Sequence, residues 1–196
     1  HRTFTSRETR ELPKADSVPF CAVPQVLTND PENFLWAAEA CRDLGYAEIN
    51  LNAGCPSGTV VAKRKGSGML RDLDSLASFF DRIFAKSPLP VSVKTRLGME
   101  EPEEFEKILA LYNRYPIREL IVHPRVRRQF YEGQVQVEWF RYAAEHTAIP
   151  LCYNGDIRSL SDAAALEAQF PGLEAVMVGR GLITDPGMLA GGTEIG

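Results

Sequence analysis

From Val18 onward the chain alternates short apolar stretches rich in β-branched residues with longer stretches of helical pattern, and few folds accept that alternation. Six strands are expected, at residues 19–27, 47–52, 89–96, 118–123, 149–154 and 173–179. Helices are expected between them at residues 31–44 behind an Asp30 cap, 73–85 behind Asp72, 102–112, 137–146, and 160–169 behind Ser159. The strands are apolar almost throughout, which implies burial on both faces, as in a parallel sheet wrapped by helices. Residues 1–17 are polar and read as a helix or loop leading into this unit, which is expected over 18–190, with a short tail at 191–196.

The unusual residues share one position, the C-terminal end of a strand. NLNAGCPSG, KTRLG, HPRVRR, NGDI and GRG each follow one. In a β/α barrel the loops from every strand converge on one mouth, whereas a doubly wound sheet binds ligands at a single crossover point. The expectation is therefore an α/β fold, a parallel β/α (TIM-type) barrel. Six strands fall short of eight, so the barrel is expected to be incomplete as given, with two strands preceding His1.

At that mouth, NGDI and GRG are candidates for a phosphate cradle: Asn154, Gly155, Asp156, Gly179, Arg180 and Gly181 offer backbone N–H groups and an arginine. Plain glycine turns are the alternative. Lys94 and Arg96 alternate along one strand and so share a face, where an anion or electron-rich ligand would relieve their repulsion. His123 closes the next strand in the same way, and Gln25 is a polar residue in an apolar strand that needs partners if buried. Cys55, between Gly54 and Pro56, is placed at the mouth by a sharp turn. A thiol near the ordinary value of about 8.5 can act as a general acid, while strong positive charge nearby makes it a nucleophile. A small hydrophobe under a loop fits the spacing as well. VAKRKGSGML is a candidate mobile loop toward a polyanion, and RVRRQFYEG combines arginines with aromatic residues suited to phosphate contact and base stacking.

Composition narrows the class. The cysteines occur singly at Cys21, Cys41, Cys55 and Cys152, without C-x-x-C spacing, so no metal is expected and the other three read as inert core thiols. No apolar run approaches the ~18–20 residues that span a bilayer, and no secretory leader is visible, so a cytoplasmic protein without a membrane partner is expected. A net charge of −4 confines any polyanion contact to local basic runs.

Taken in order, NLNAGCPS with GSGML, VKTRLG, HPRVRRQFYEG, YNGDIRS and VMVGRGLITDP resemble the tRNA-dihydrouridine synthases, from about the Gln25 strand to Pro186. That resemblance implies a flavin enzyme on a β/α barrel, in which FMN, reduced by NADPH, saturates the C5–C6 bond of a uracil in tRNA. It implies that Gln25, Lys94 and His123 contact the isoalloxazine or ribityl chain, and that Asn154, Gly155, Asp156, Gly179 and Arg180 hold the phosphate. Cys55 would be the proton donor to C5, with Asn52, Arg96 and Arg127 near the flipped uracil or its phosphates. It further implies a C-terminal helical domain gripping tRNA beyond Gly196, and a monomer is expected. The rival readings are an FMN barrel acting on a free pyrimidine, of the dihydroorotate or dihydropyrimidine dehydrogenase type, and a non-catalytic RNA-binding fragment. A sugar isomerase would need neither Cys55 nor Gln25.

Overall fold

A computed structural model describes residues 3–188; the expected tail at 191–196 and the last two residues of the expected barrel span lie outside the described residues. The elements run α1 (Ser6–Glu11), β1 (Gln25–Val26), α2 (Pro31–Asp43), β2 (Ile49–Ala53), α3 (Gly58–Ala62), α4 (Leu73–Lys86), β3 (Val91–Arg96), α5 (Glu104–Tyr112), β4 (Leu120–His123), α6 (Val137–His146), β5 (Leu151–Tyr153), α7 (Leu160–Gln169), β6 (Ala175–Val176) and α8 (Arg180–Thr184). All six strands lie in one sheet, in chain order, each parallel to its neighbour. That order is the winding of a β/α barrel; a doubly wound sheet reverses direction part-way.

Local chemistry fixes the helix starts. Asp30 accepts from the Glu32 N–H ahead of Pro31 at the first helical position, and Asp72 accepts from the Ser75 N–H at 3.0 Å. In α4 the spacing of Leu76, Phe79, Phe80 and Ile83 makes one apolar stripe, and all four are buried. Each such side chain contributes about 1.5–3 kcal/mol on burial. The helix expected at 102–112 starts two residues later. The Glu104 carboxylate accepts from the N–H groups of Met99, Glu100 and Glu101 at 2.8–2.9 Å, so the preceding residues form a capped turn instead.

Four expectations are corrected. The strand read over 19–27 is regular only at Gln25–Val26: Pro19 and Pro24 interrupt it, and Phe20 and Cys21 are exposed, so Cys21 is no core thiol. The strand over 173–179 shrinks to Ala175–Val176. The basic run after Cys55 is not a mobile loop: Val61 ends up buried, and Gly66–Arg71 form a 3-10 turn in which Gly66 to Leu70 are all buried. Residues 1–17 contain a helix, α1, closed by a Thr5–Glu8 capping box. No described helix is long and apolar enough to cross a membrane.

Candidate active site

Alternation along the strands splits the sheet into two chemistries. One face is apolar and meets the helices: Thr95 reaches the Tyr112 hydroxyl on α5 at 2.9 Å, and Tyr153 stands edge-on to Phe140 on α6. The other face carries Gln25, Asn50, Asn52, Ser92, Lys94, Arg96 and His123, and register sets them side by side. Gln25 pairs with Asn50, Asn52 with Lys94, and Arg96 with His123. At its C-terminal end this face opens into a cleft of about 740 Å³, within the range of small-molecule and cofactor sites. Gln25, Asn52, Cys55, Lys94, Arg96, His123, Asn154, Gly155, Asp156, Gly179 and Arg180 all line it; of the residues singled out from sequence only Arg127 does not. Its guanidinium lies 4.9 Å from the Phe130 ring, away from the cleft lining.

The Cys55 loop is held through its backbone. Asn52 Oδ1 accepts from the N–H groups of Gly54 (3.1 Å) and Cys55 (2.9 Å), and the Cys55 carbonyl accepts from Ser67 N (3.0 Å) and Ser67 Oγ (2.9 Å). Because a backbone N–H can only donate, Asn52 must present its oxygen there, which orients a whole chain of amides. Asn52 Nδ2 then donates to Gln25 Oε1, Gln25 Nε2 to Asn50 Oδ1, and Asn50 Nδ2 to Ser92 Oγ, at 2.8, 2.8 and 2.9 Å. The thiol itself carries none of this load and sits half-buried in the cleft wall.

Gly66 closes the clamp. Its φ of +56° lies in the left-handed region, and a Cβ there would sit 2.7 Å from the Cys55 carbonyl oxygen. Gly66→Ala is expected to cost roughly 1–3 kcal/mol in the full-length protein. Gly58→Ala, where a Cβ meets nothing within 4 Å, should stay within about 0.5 kcal/mol. Urea unfolding midpoints separate the two, and equal midpoints would show that the Cys55 loop is not held this tightly.

Positive charge dominates the cleft. Lys94, Arg96, Arg158 and Arg180 line it against Asp156 and Asp185. Lys94 makes no ion pair among the described residues, and burial, reinforced by the nearby Arg96 charge, pushes its ammonium down to about 8. Arg96 is 1% exposed and donates to two carbonyls, Gly54 at 3.0 Å and Val126 at 3.2 Å, tying the β2 and β4 loops together. Tyr131 lies between Arg96 and Arg180, with its ring centroid 5.3 and 4.7 Å from their guanidinium carbons. Burial pushes the Cys152 thiol up to about 12 and the Cys41 thiol up to about 11, so both stay protonated and inert.

Arg125, read from sequence as one of a basic run, is 1% exposed and built into the wall. It bonds Asp156 through both terminal nitrogens, His123 Nε2 at 3.1 Å and the Gly133 carbonyl. Asp156 also accepts from Arg180 Nη2 at 2.8 Å, with its backbone at φ +47°. Hydrogen bonding from Arg125 holds the Asp156 carboxyl below the usual carboxylate range, and the charges of Arg125, Arg180 and Arg158 add to this. Gly181 permits the β5 and β6 loops to touch: a Cβ there would meet the Ile157 carbonyl at 2.4 Å. Sequence reasoning missed Asn50 and Ser67, and read Tyr131 only as one of the aromatic residues of its loop. Asn50 alone carried a readable signal, as a polar residue on the same strand face as Asn52.

The comparison that decides the family spans nearly the whole chain: a model described as dihydrouridine synthase (Dus) matches residues 3–195. The chain belongs to the dihydrouridine synthase family. Among curated relatives, a probable tRNA-dihydrouridine synthase of Rickettsia prowazekii is 33% identical over 174 residues, covering 88% of this chain and 53% of that protein. A tRNA-dihydrouridine synthase B of Pseudomonas aeruginosa is 32% identical over 180 residues, covering 91% and 54%. This dihydrouridine synthase chain thus spans about half the length of the curated relatives it matches. Among solved structures, a mutant morphinone reductase in complex with tetrahydroNAD superposes with a TM-score of 0.56 at 13% identity, over 82% of this chain and 47% of that one. Histamine dehydrogenase from Rhizobium sp. 4-9 gives 0.54 at 13%, over 82% and 26%. At such identity the likeness is one of fold.

Proposed function

We propose that the chain forms the flavin-binding and catalytic part of an enzyme that reduces the C5–C6 bond of a uridine in tRNA, with FMN as cofactor and NADPH as its reductant. The observation that carries this reading is Cys55, a half-buried thiol in the wall of a cation-rich cleft, in a chain of the dihydrouridine synthase family. The donor set fits an anionic, electron-rich ligand, since Lys94 has no counter-ion among the described residues and Arg180 stands at the cleft edge. In this reading Lys94, Gln25 and His123 hold the flavin ring and ribityl chain. Asn154, Gly155, Gly179 and Arg180 hold its phosphate, and Asp156 aims Arg180. The bound flavin supplies the hydride that adds at C6.

The protein's own work is to bring the base there and to complete the addition with a proton. Cys55 gives its thiol proton to C5 as the C–H bond at C6 forms, so that hydride and proton together saturate the double bond. Asn52 keeps Cys55 on its turn, and Arg96 lies beside the base. Arg127, outside the cleft, suits a phosphate of the substrate backbone. A uridine must leave its stack to reach this cleft, at a cost of a few kcal/mol that contacts to the flipped base and neighbouring phosphates offset.

Position-by-position mass spectrometry of tRNA from cells lacking the gene is expected to show one or more dihydrouridines replaced by uridine, restored by the full-length gene. Full-length protein that reduces free uracil or oxidises dihydroorotate while leaving tRNA unchanged would overturn the reading.

A further inference from the structure

We infer that Arg125 is a positioning residue that holds His123 in its Nδ1–H tautomer, so that His123 meets a ligand in the cleft as a hydrogen-bond donor. The two terminal nitrogens of a guanidinium carry four N–H bonds and no lone pair. Arg125 Nη2 has two acceptors, Asp156 Oδ2 and the Gly133 carbonyl; Nη1 has two, Asp156 Oδ1 and His123 Nε2. Every terminal N–H is matched by one acceptor, and His123 Nε2 is one of the four. A nitrogen that accepts cannot bear a proton, so the imidazole proton lies on Nδ1.

The doubly protonated ring is disfavoured by the same neighbours. His123 is 5% exposed, and Lys94, Arg96 and Arg125 face it with Asp156 as the one nearby carboxylate. Burial first, then those three cations, push its imidazolium down to about 2. Nδ1 has no hydrogen-bond partner among the described residues, and His123 lines the cleft, so the remaining N–H is available to an acceptor atom such as a ring carbonyl. The Arg125–Asp156 pair explains why the arrangement is stiff. Asp156 grips the guanidinium on two nitrogens, and a bidentate pair fixes its plane as well as its position. Arg125 stands behind the cleft lining, bonded to His123 and Asp156, and acts through His123.

The test is two-bond 1H–15N correlation spectroscopy of histidine-labelled full-length protein, with the His123 signal assigned by its loss in His123→Asn. Wild type at neutral pH is expected to show the Nδ1–H pattern. Arg125→Lys, which keeps a donor, should retain it, and Arg125→Met should move at least half of the signal to the Nε2–H pattern. An Nε2–H pattern in wild type overturns the inference even if Arg125→Met fails to fold. So does an unchanged Nδ1–H pattern in a folded Arg125→Met variant. The measurement needs no tRNA and no turnover. Failure of the tautomer assignment therefore leaves the proposed reaction standing, and absence of tRNA reduction leaves the tautomer result intact.

Discussion

Cys55→Ala is expected to lower uridine reduction in tRNA by roughly 10²–10⁴-fold, the usual contribution of a positioned general acid, while the full-length protein stays folded and keeps its flavin. The two halves of that outcome rest on different atoms. The loop is held by the Cys55 N–H on Asn52 and the Cys55 carbonyl on Ser67, both of which alanine retains. In the proposed reaction the thiol contributes only its proton and its place in the cleft wall. Single-turnover reduction of tRNA by prereduced enzyme reads the chemical step, and flavin absorbance of the purified variant reads cofactor retention. A rate within tenfold of wild type would remove Cys55 from the reaction, and loss of flavin together with activity would make it a structural residue. Asn52→Ala separates further, because it frees the N–H groups of Gly54 and Cys55 and breaks the amide chain to Gln25 without touching the thiol.

The parallel winding and the convergence of five polar loops were legible because a period-two wall and a glycine-rich strand end are local patterns. Lys94 and Arg96 share a face by alternation alone, and the structure sets Lys94 level with Asn52 and Arg96 level with His123. Pairings across the sheet are not local, and the misreading of the arginines comes from there. Arg125, Arg127 and Arg128 look alike in HPRVRR, yet Arg125 is buried against Asp156, Arg127 lies over Phe130, and Arg128 pairs with Glu101 at the surface. Which arginine turns inward depends on a carboxylate 31 residues away in sequence. The run after Cys55 carries the same lesson. Its lysines and arginine suggest a solvated loop, but the glycines at 66 and 68 allow the backbone to pack against Cys55 and Val61, which buries the turn.

Asp156→Ala should be the most destabilising of these substitutions, by roughly 3 kcal/mol at neutral pH, because it leaves Arg125 buried without a counter-charge. Arg125 is 1% exposed and Asp156 one-quarter exposed, so water can reach the carboxylate but not the guanidinium, which sets the figure at the low end for a broken buried pair. The sign of the pH dependence follows from the lowered carboxyl. A group whose folded value is depressed contributes its full stability above the unfolded value of about 3.9 and loses it as pH falls through the folded one. The gap between wild type and Asp156→Ala in urea unfolding should therefore be flat from pH 6 to 8 on this linkage, and narrow only below about pH 4. Removing both partners, Asp156→Ala with Arg125→Met, should be less harmful than the sum of the single changes, since neither charge is then stranded. A single-variant loss below about 1 kcal/mol, or strict additivity in the double variant, would mean that the pair is not what joins the β4 and β5 loops. The Arg180 contact at the cleft edge adds a ligand-side readout. Its partner lost, Arg180 is free to turn toward solvent, and flavin should bind more weakly to Asp156→Ala even at temperatures where the variant is fully folded.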